Sequence, residues 1–121
     1  MALDESAMVA AAKTYVDALV SHDATVVPLH PECTRTELGV KTGRNGGHIA
    51  RSLTWGPQFR LIHTVSDFTT VVDGHAVRTS YLVHVQPRFL RLAARVTETF
   101  TVDDAGRITK IVAGFSLPHR V

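Results

Sequence analysis

The chain is 121 residues long, 45% hydrophobic and 20% charged, with a formal net charge of +2, which fits one soluble globular domain, residues 1–121, around a single core. Its basic residues are scattered, with no basic stripe interleaved with aromatics, and no apolar run approaches the roughly 18 residues of a membrane span, so neither nucleic acid nor membrane is expected as a partner. Cys33 is the single cysteine, which excludes an internal disulfide and points to a reducing, cytoplasmic setting.

Residues 4–21 read as a helix. Asp4 is the expected N-cap, and Glu5 suits the positive end of the helix dipole. Met8, Ala11, Ala12, Tyr15 and Leu19 recur on one helical face, with Lys13, Asp17 and Ser21 off it. Tyr15 is thereby aimed inward, where its hydroxyl needs a partner. The opening MALDESAMVAAAK is acidic before it is apolar, which makes it a poor secretory signal.

Asp23 reads as the cap of a second, short helix over 24–30, with Pro28 at a first turn or a break. Pro31 then turns the chain into a short strand over 33–38. Its alternation leaves two orientations open. Thr34, Thr36 and Leu38 share one face, and Cys33, Arg35 and Glu37 share the other. Residues 39–47, GVKTGRNGG, read as a flexible loop without a phosphate-binding motif. A third helix over 48–55 stops at Gly56-Pro57, with Ile49 and Leu53 as its buried pair.

From Gln58 onward the period changes to two. Strands are expected over 59–72, with a break near Asp67, then 76–86, 89–102 and 107–117. Asp73-Gly74 and Asp104-Ala105-Gly106 supply hairpin turns. In the strand over 89–102, Leu90, Leu92, Ala94, Val96, Glu98, Phe100 and Val102 fall on one face, and an arginine- and threonine-rich set falls on the other. Glu98 is the one charged residue in that apolar column. A carboxylate there is costly unless it is paired, hydrogen-bonded or protonated, and desolvation favours its neutral form. Helices first and consecutive strands afterwards make an α+β fold, with three N-terminal helices on one face of a curved antiparallel sheet.

Two stretches resemble the nuclear-transport-factor-2-like superfamily, in its ketosteroid isomerase and polyketide cyclase-like branch. AAAKTYVDALVSHD is similar to that family's first helix, with a tyrosine in its middle and an aspartate at the following turn. VTETFTVDDAGRITKI is similar to its penultimate hairpin, with a carboxylate a few residues before the turn. The resemblance implies a cone-shaped, cystatin-like α+β barrel with a deep pocket between helices and sheet. It also implies that Tyr15 and Glu98 form an oxyanion hole within hydrogen-bond reach of each other. The protonated-acid mechanism of ketosteroid isomerase is an established case. The family's general base is an aspartate at the end of the first strand. That position falls on Leu38 here, next to Glu37, so Glu37 is the candidate base, and glutamate replaces the usual aspartate at position 98.

The resemblance therefore implies a small enzyme that enolises or isomerises a hydrophobic, steroid- or polyketide-like carbonyl compound, with Tyr15, Glu98 and Glu37 as its catalytic residues. Leu38, Trp55, Phe59, His63, Tyr81, Val96 and Phe100 are the expected pocket lining. No cofactor or metal is called for, and the seven histidines show no paired ligand spacing on one element. Cys33 reads as a small buried filler. A homodimer formed through the outer sheet face is expected. The alternatives are a binding protein for a small apolar ligand, or a cofactor-free dehydratase, cyclase or epoxide hydrolase of the same fold.

Overall fold

A computed structural model describes residues 3–121. Among these residues the chain forms α1 Glu5–Ser21, β1 Leu29–Glu37, β2 Val40–Gly43, α2 Gly46–Trp55, α3 Pro57–Arg60, β3 Ile62–Asp73, β4 Ala76–Val85, β5 Leu92–Val102, β6 Ile108–Phe115 and β7 His119–Arg120. The strands lie in the order β2-β1-β6-β5-β4-β3, with β7 also pairing with β5. All pairs are antiparallel except β1 with β6, which is parallel. The sheet is curved and unclosed, with β2 and β3 at its edges, and α1 packs across its inner face against β3. The architecture is therefore α+β, as the change of period in the sequence implies. Among the described residues, no helix is long and apolar enough to cross a membrane.

Helix α1 starts where Asp4 accepts a hydrogen bond from the Ala7 amide at 2.8 Å. It buries Met8, Ala11, Ala12, Tyr15 and Leu19, the face picked out by their spacing. Beyond it the expected second helix shrinks to a single 3-10 turn, Ala24–Val26. Pro28 and Pro31 lack the amide hydrogens that a longer helix would use. Pro31 instead lies within β1, in the stretch where the pairing with β6 is interrupted between Leu29 and Thr34.

The expected loop over 39–47 contains β2. Glu37 pairs with Val40, so Leu38 and Gly39 form a two-residue hairpin turn with φ of 51° and 79°. Arg35 pairs with Gly43 and Thr36 with Lys41, which leaves Thr42 as an extra, bulged residue. Gly43 is required there, because a Cβ would come within 2.4 Å of Ile49 Cγ1. Helix α2 begins two residues earlier than the sequence suggests, capped by Asn45, whose side chain accepts from the His48 amide at 2.8 Å.

The expected start of the third strand also moves. Pro57 opens the short helix α3, which takes in Phe59, and β3 begins only at Ile62. Asp67 interrupts β3 with a φ of 56°, and the register with β4 shifts between Ser66 and Thr69. In β5 the inner column Ala94, Val96, Glu98, Phe100 and Val102 is buried. Phe89 and Leu90 are not part of it. They sit in a 3-10 turn, Arg88–Leu90, and Phe89 is 78% exposed.

Candidate active site

Parity within β1 is ambiguous on its own, but the sheet register resolves it. Glu37 pairs with Ala113 of β6, and Ala113 pairs with Glu98 of β5. Residues directly opposite one another project from the same face of a sheet. Since Glu98 faces inward, Glu37 does too. The two carboxyl residues stand two strands apart, about 10 Å at the backbone, with the small Ala113 between them. All three line a cavity of about 400 Å³ between the inner sheet face and the helices.

The cavity walls are apolar, with Leu19, Phe59, Ile62, Val83 and Val96 prominent, and Leu38, Phe115, Leu117 and Pro118 form part of its lining near solvent. Tyr15 and Tyr81 bring hydroxyl groups to the wall. Among the described lining residues, Glu37 and Glu98 are the ionisable acids and no lysine or arginine is present. The cavity is therefore suited to a largely apolar, uncharged molecule with polar demands at one end.

Glu98 is 3% exposed and accepts a hydrogen bond from the Tyr81 hydroxyl at Oε1. Burial pushes its carboxyl up to about 7, with help from the charge of Glu37 and against the Tyr81 hydrogen bond and Arg35. Burial also raises both tyrosines well above the ordinary phenol range, so both remain hydroxyl donors. The expected hydrogen bond between Tyr15 and Glu98 is not formed. Tyr15 pairs with Arg35 and Glu98 with Tyr81, because β4 and β1 each place a polar side chain closer to the two groups. Phe68 lies beside Tyr81, with ring centroids 6.2 Å apart.

Arg35 is fully buried, two residues before Glu37 on β1. Its Nη1 donates to Tyr15 Oη at 3.1 Å, and its Nη2 donates to Ser52 Oγ at 2.9 Å and to the Thr42 carbonyl at 3.3 Å. Its Nε donates to Thr42 Oγ1 at 3.1 Å and lies 3.8 Å from Glu37 Oε1. The guanidinium also sits 4.8 Å from the centroid of the Phe59 ring. The bulge at Thr42 is what turns both its carbonyl and its hydroxyl toward Arg35. Burial works against this cation, but Tyr15 and the charge of Glu37 outweigh it and hold its pKa above the ordinary value. Among the described residues, no buried side-chain nitrogen or oxygen lacks a hydrogen-bond partner.

Of the expected lining, Leu38, Phe59, Tyr81 and Val96 border the cavity, and Trp55, His63 and Phe100 do not. Trp55 is 71% exposed at the end of α2, with the Arg60 guanidinium 5.9 Å from its ring centroid. His63 falls where the β3–β4 register shifts, which breaks its alternation and hands the inward place to Ile62. Its Nδ1 lies 2.9 Å from Thr64 Oγ1, and burial holds its pKa below the usual imidazole value. Phe100 is buried behind the wall, edge-on to Tyr15 at 5.1 Å. Cys33 is buried and its thiol is pushed up to about 11, chiefly by burial, so it is a packing residue. Arg35 and Ala113 escaped the sequence reading. The signal for Arg35 was its place two residues before Glu37, and no signal marked Ala113.

A family model described as a domain of unknown function (DUF8021) matches residues 2–115. The chain belongs to the DUF8021 family. No curated protein matches it by sequence. Among solved structures, a cystatin-like protein of unknown function from Methylobium petroleophilum superposes with a TM-score of 0.78, at 19% identity over 98% of this chain and 82% of that one. An LEH-like epoxide hydrolase from M. tuberculosis gives 0.71 at 25% identity, over 92% of this chain and 84% of that one. A steroid delta-isomerase from Pseudomonas aeruginosa gives 0.62 at 16% identity, over 97% of this chain and 85% of that one. This DUF8021 chain thus has the fold of the nuclear-transport-factor-2-like superfamily. Structures of that fold include both isomerase and epoxide hydrolase, which accords with a small-pocket catalytic or binding role.

Proposed function

We propose that this chain is a cofactor-independent enzyme that moves a proton beside the carbonyl group of a neutral, apolar compound. The observation that carries the reading is the pair Glu37 and Glu98, one strand away from Ala113 on either side, in one apolar cavity. Glu98, pushed up to about 7, supplies a hydrogen-bond donor where an ordinary carboxyl would be an anion. Tyr15 supplies the second donor.

The Glu37 carboxylate takes a proton from the carbon next to the carbonyl. The C–H electron pair becomes the C=C bond of an enolate, and the carbonyl π pair moves onto oxygen. Tyr15 and protonated Glu98 donate to that oxygen as its charge develops, which is where preorganised donors lower a barrier most. Glu37 then returns the proton to the same carbon or, in a conjugated substrate, to another. Steroid- and polyketide-like ketones match the apolar walls.

The test is deuterium uptake at the α-carbon of an aryl ketone in heavy water, which needs no later step. The wild type should accelerate uptake, and Glu37→Gln should reduce that acceleration by about 10²–10⁴-fold. No acceleration, alongside tight ketone binding, would instead support a non-catalytic binding protein.

A second reading, epoxide hydrolysis, is favoured by the 25% identity to the M. tuberculosis structure. In it Glu98 gives its proton to the epoxide oxygen as one C–O bond breaks. Glu37 takes a proton from the water that forms the new C–O bond. Diol formation with ¹⁸O from labelled water, without deuterium uptake by ketones, would favour it.

A further inference from the structure

We infer that Arg35 is a positioning residue: from behind the cavity wall it fixes the direction of the Tyr15 hydroxyl, so that the Tyr15 hydrogen points into the cavity. The inference deepens the proposed function and rests on its reading of Tyr15 as a donor to the ligand.

The argument begins with donor and acceptor capacity. A guanidinium carries five N–H donors and no acceptor. Arg35 Nη1, 3.1 Å from the Tyr15 oxygen, can only donate to it. The Tyr15 hydrogen cannot point back, and among the described residues no other group accepts it. The cavity is the direction left, and Tyr15 lines it.

The surroundings of Arg35 enforce the same polarity. Ser52 Oγ donates its own hydrogen to the Ile49 carbonyl at 2.7 Å, which leaves its oxygen free to accept from Arg35 Nη2 at 2.9 Å. The Thr42 carbonyl can only accept. The guanidinium is fully buried, and it is held between Thr42, Ser52 and the Phe59 ring. It has little freedom to rotate away from Tyr15. Arg35 does not itself line the cavity, so it acts on a ligand through Tyr15.

The test compares two probes of nearly equal shape, 2-acetonaphthone, which offers a carbonyl acceptor, and 2-isopropenylnaphthalene, which does not. Dissociation constants are measured for the wild type, Tyr15→Phe, Arg35→Gln, Arg35→Lys and the double variant Tyr15→Phe/Arg35→Gln. The wild type should prefer the ketone by about tenfold or more, the net worth of two buried hydrogen bonds. A glutamine amide has an acceptor oxygen that can capture the Tyr15 hydrogen, whereas a lysine ammonium has only donors. Arg35→Gln should therefore lose several-fold of the ketone preference with hydrocarbon affinity held, and Arg35→Lys should keep most of it. Tyr15→Phe should lose the same factor, and the double variant no more than either single.

Ketone preference unchanged in Arg35→Gln but lost in Tyr15→Phe would overturn the role of Arg35 alone. Equal weakening of ketone and hydrocarbon in both Arg35 variants, including loss of all binding, would make Arg35 a structural prop and also overturn it. Absence of any ketone preference in the wild type would overturn the donor reading of the cavity, and this inference with it.

Discussion

The hairpin that carries Glu37 and the centre of β5 that carries Glu98 put the same functional group into one cavity by opposite means. Glu37 sits at the end of β1, beside a left-handed turn, with 17% of its side chain exposed and a guanidinium 3.8 Å away. Glu98 sits in the middle of a long strand, with Tyr81 on its oxygen and apolar neighbours around it. A charge suits the first setting and a neutral acid suits the second. The difference teaches that residue type alone does not set the state of a carboxyl, and that its neighbours do, Arg35 on the same strand for Glu37 and Tyr81 on the next strand for Glu98.

The largest effect expected outside turnover is on stability. Glu98 is raised from 4.5 to about 7 in the fold, so it binds its proton more tightly folded than unfolded. Its contribution is fully present below about 4.5 and is lost as pH rises through about 7, a fall of about 3 kcal/mol. Glu98→Gln removes that slope. Urea unfolding at both ends of the window should show the wild type losing ground to the variant as pH rises. Parallel pH profiles would erase the contrast between the two carboxyl settings.

A smaller effect is expected at the hairpin. Gly43→Ala would place a Cβ 2.4 Å from Ile49 Cγ1 and 3.0 Å from Arg35 Cβ. It should destabilise the protein by about 1–3 kcal/mol, the usual cost of overpacking, read as a lower urea midpoint. It should also disturb the Thr42 bulge that orients Arg35. An unchanged midpoint would show that β2 does not hold the hairpin as described.

The smallest effect concerns Leu38. A non-glycine residue at φ 51° is strained by about 1–2 kcal/mol, and asparagine tolerates that region better. Leu38 is 60% exposed, so little packing is lost on its replacement. Leu38→Asn should raise thermal stability by up to about 1 kcal/mol. A lower Tm would show that Leu38 packs against the cavity rim more than its exposure suggests.

Much of this was legible in the sequence, for reasons tied to particular residues. The spacing of Met8, Ala11, Ala12, Tyr15 and Leu19 places Tyr15 inside whatever the helix packs on. The alternation from Ala94 to Val102 marks Glu98 as a buried acid without any tertiary knowledge. The inward turn of Glu37 was not legible, because it depends on the register of β1 with β6 and of β6 with β5, which no local pattern encodes. Arg35 was hidden for a similar reason. Its partners Tyr15, Thr42 and Ser52 come from three other elements, and one of those elements read as a loop. Phe59 and His63 were misplaced in the strand alternation because Pro57 opens a short helix and the register then slips at His63.

The central claim is that Glu98 is a proton-bearing donor in the cavity near neutral pH. Carbon-13 NMR on protein labelled at the glutamate side-chain carboxyls measures this directly, with the Glu98 signal assigned by its loss in Glu98→Gln. The account predicts that this signal titrates with a midpoint of about 7. A midpoint near the ordinary value of 4.5 would mean an anion faces the ligand, and would contradict the account.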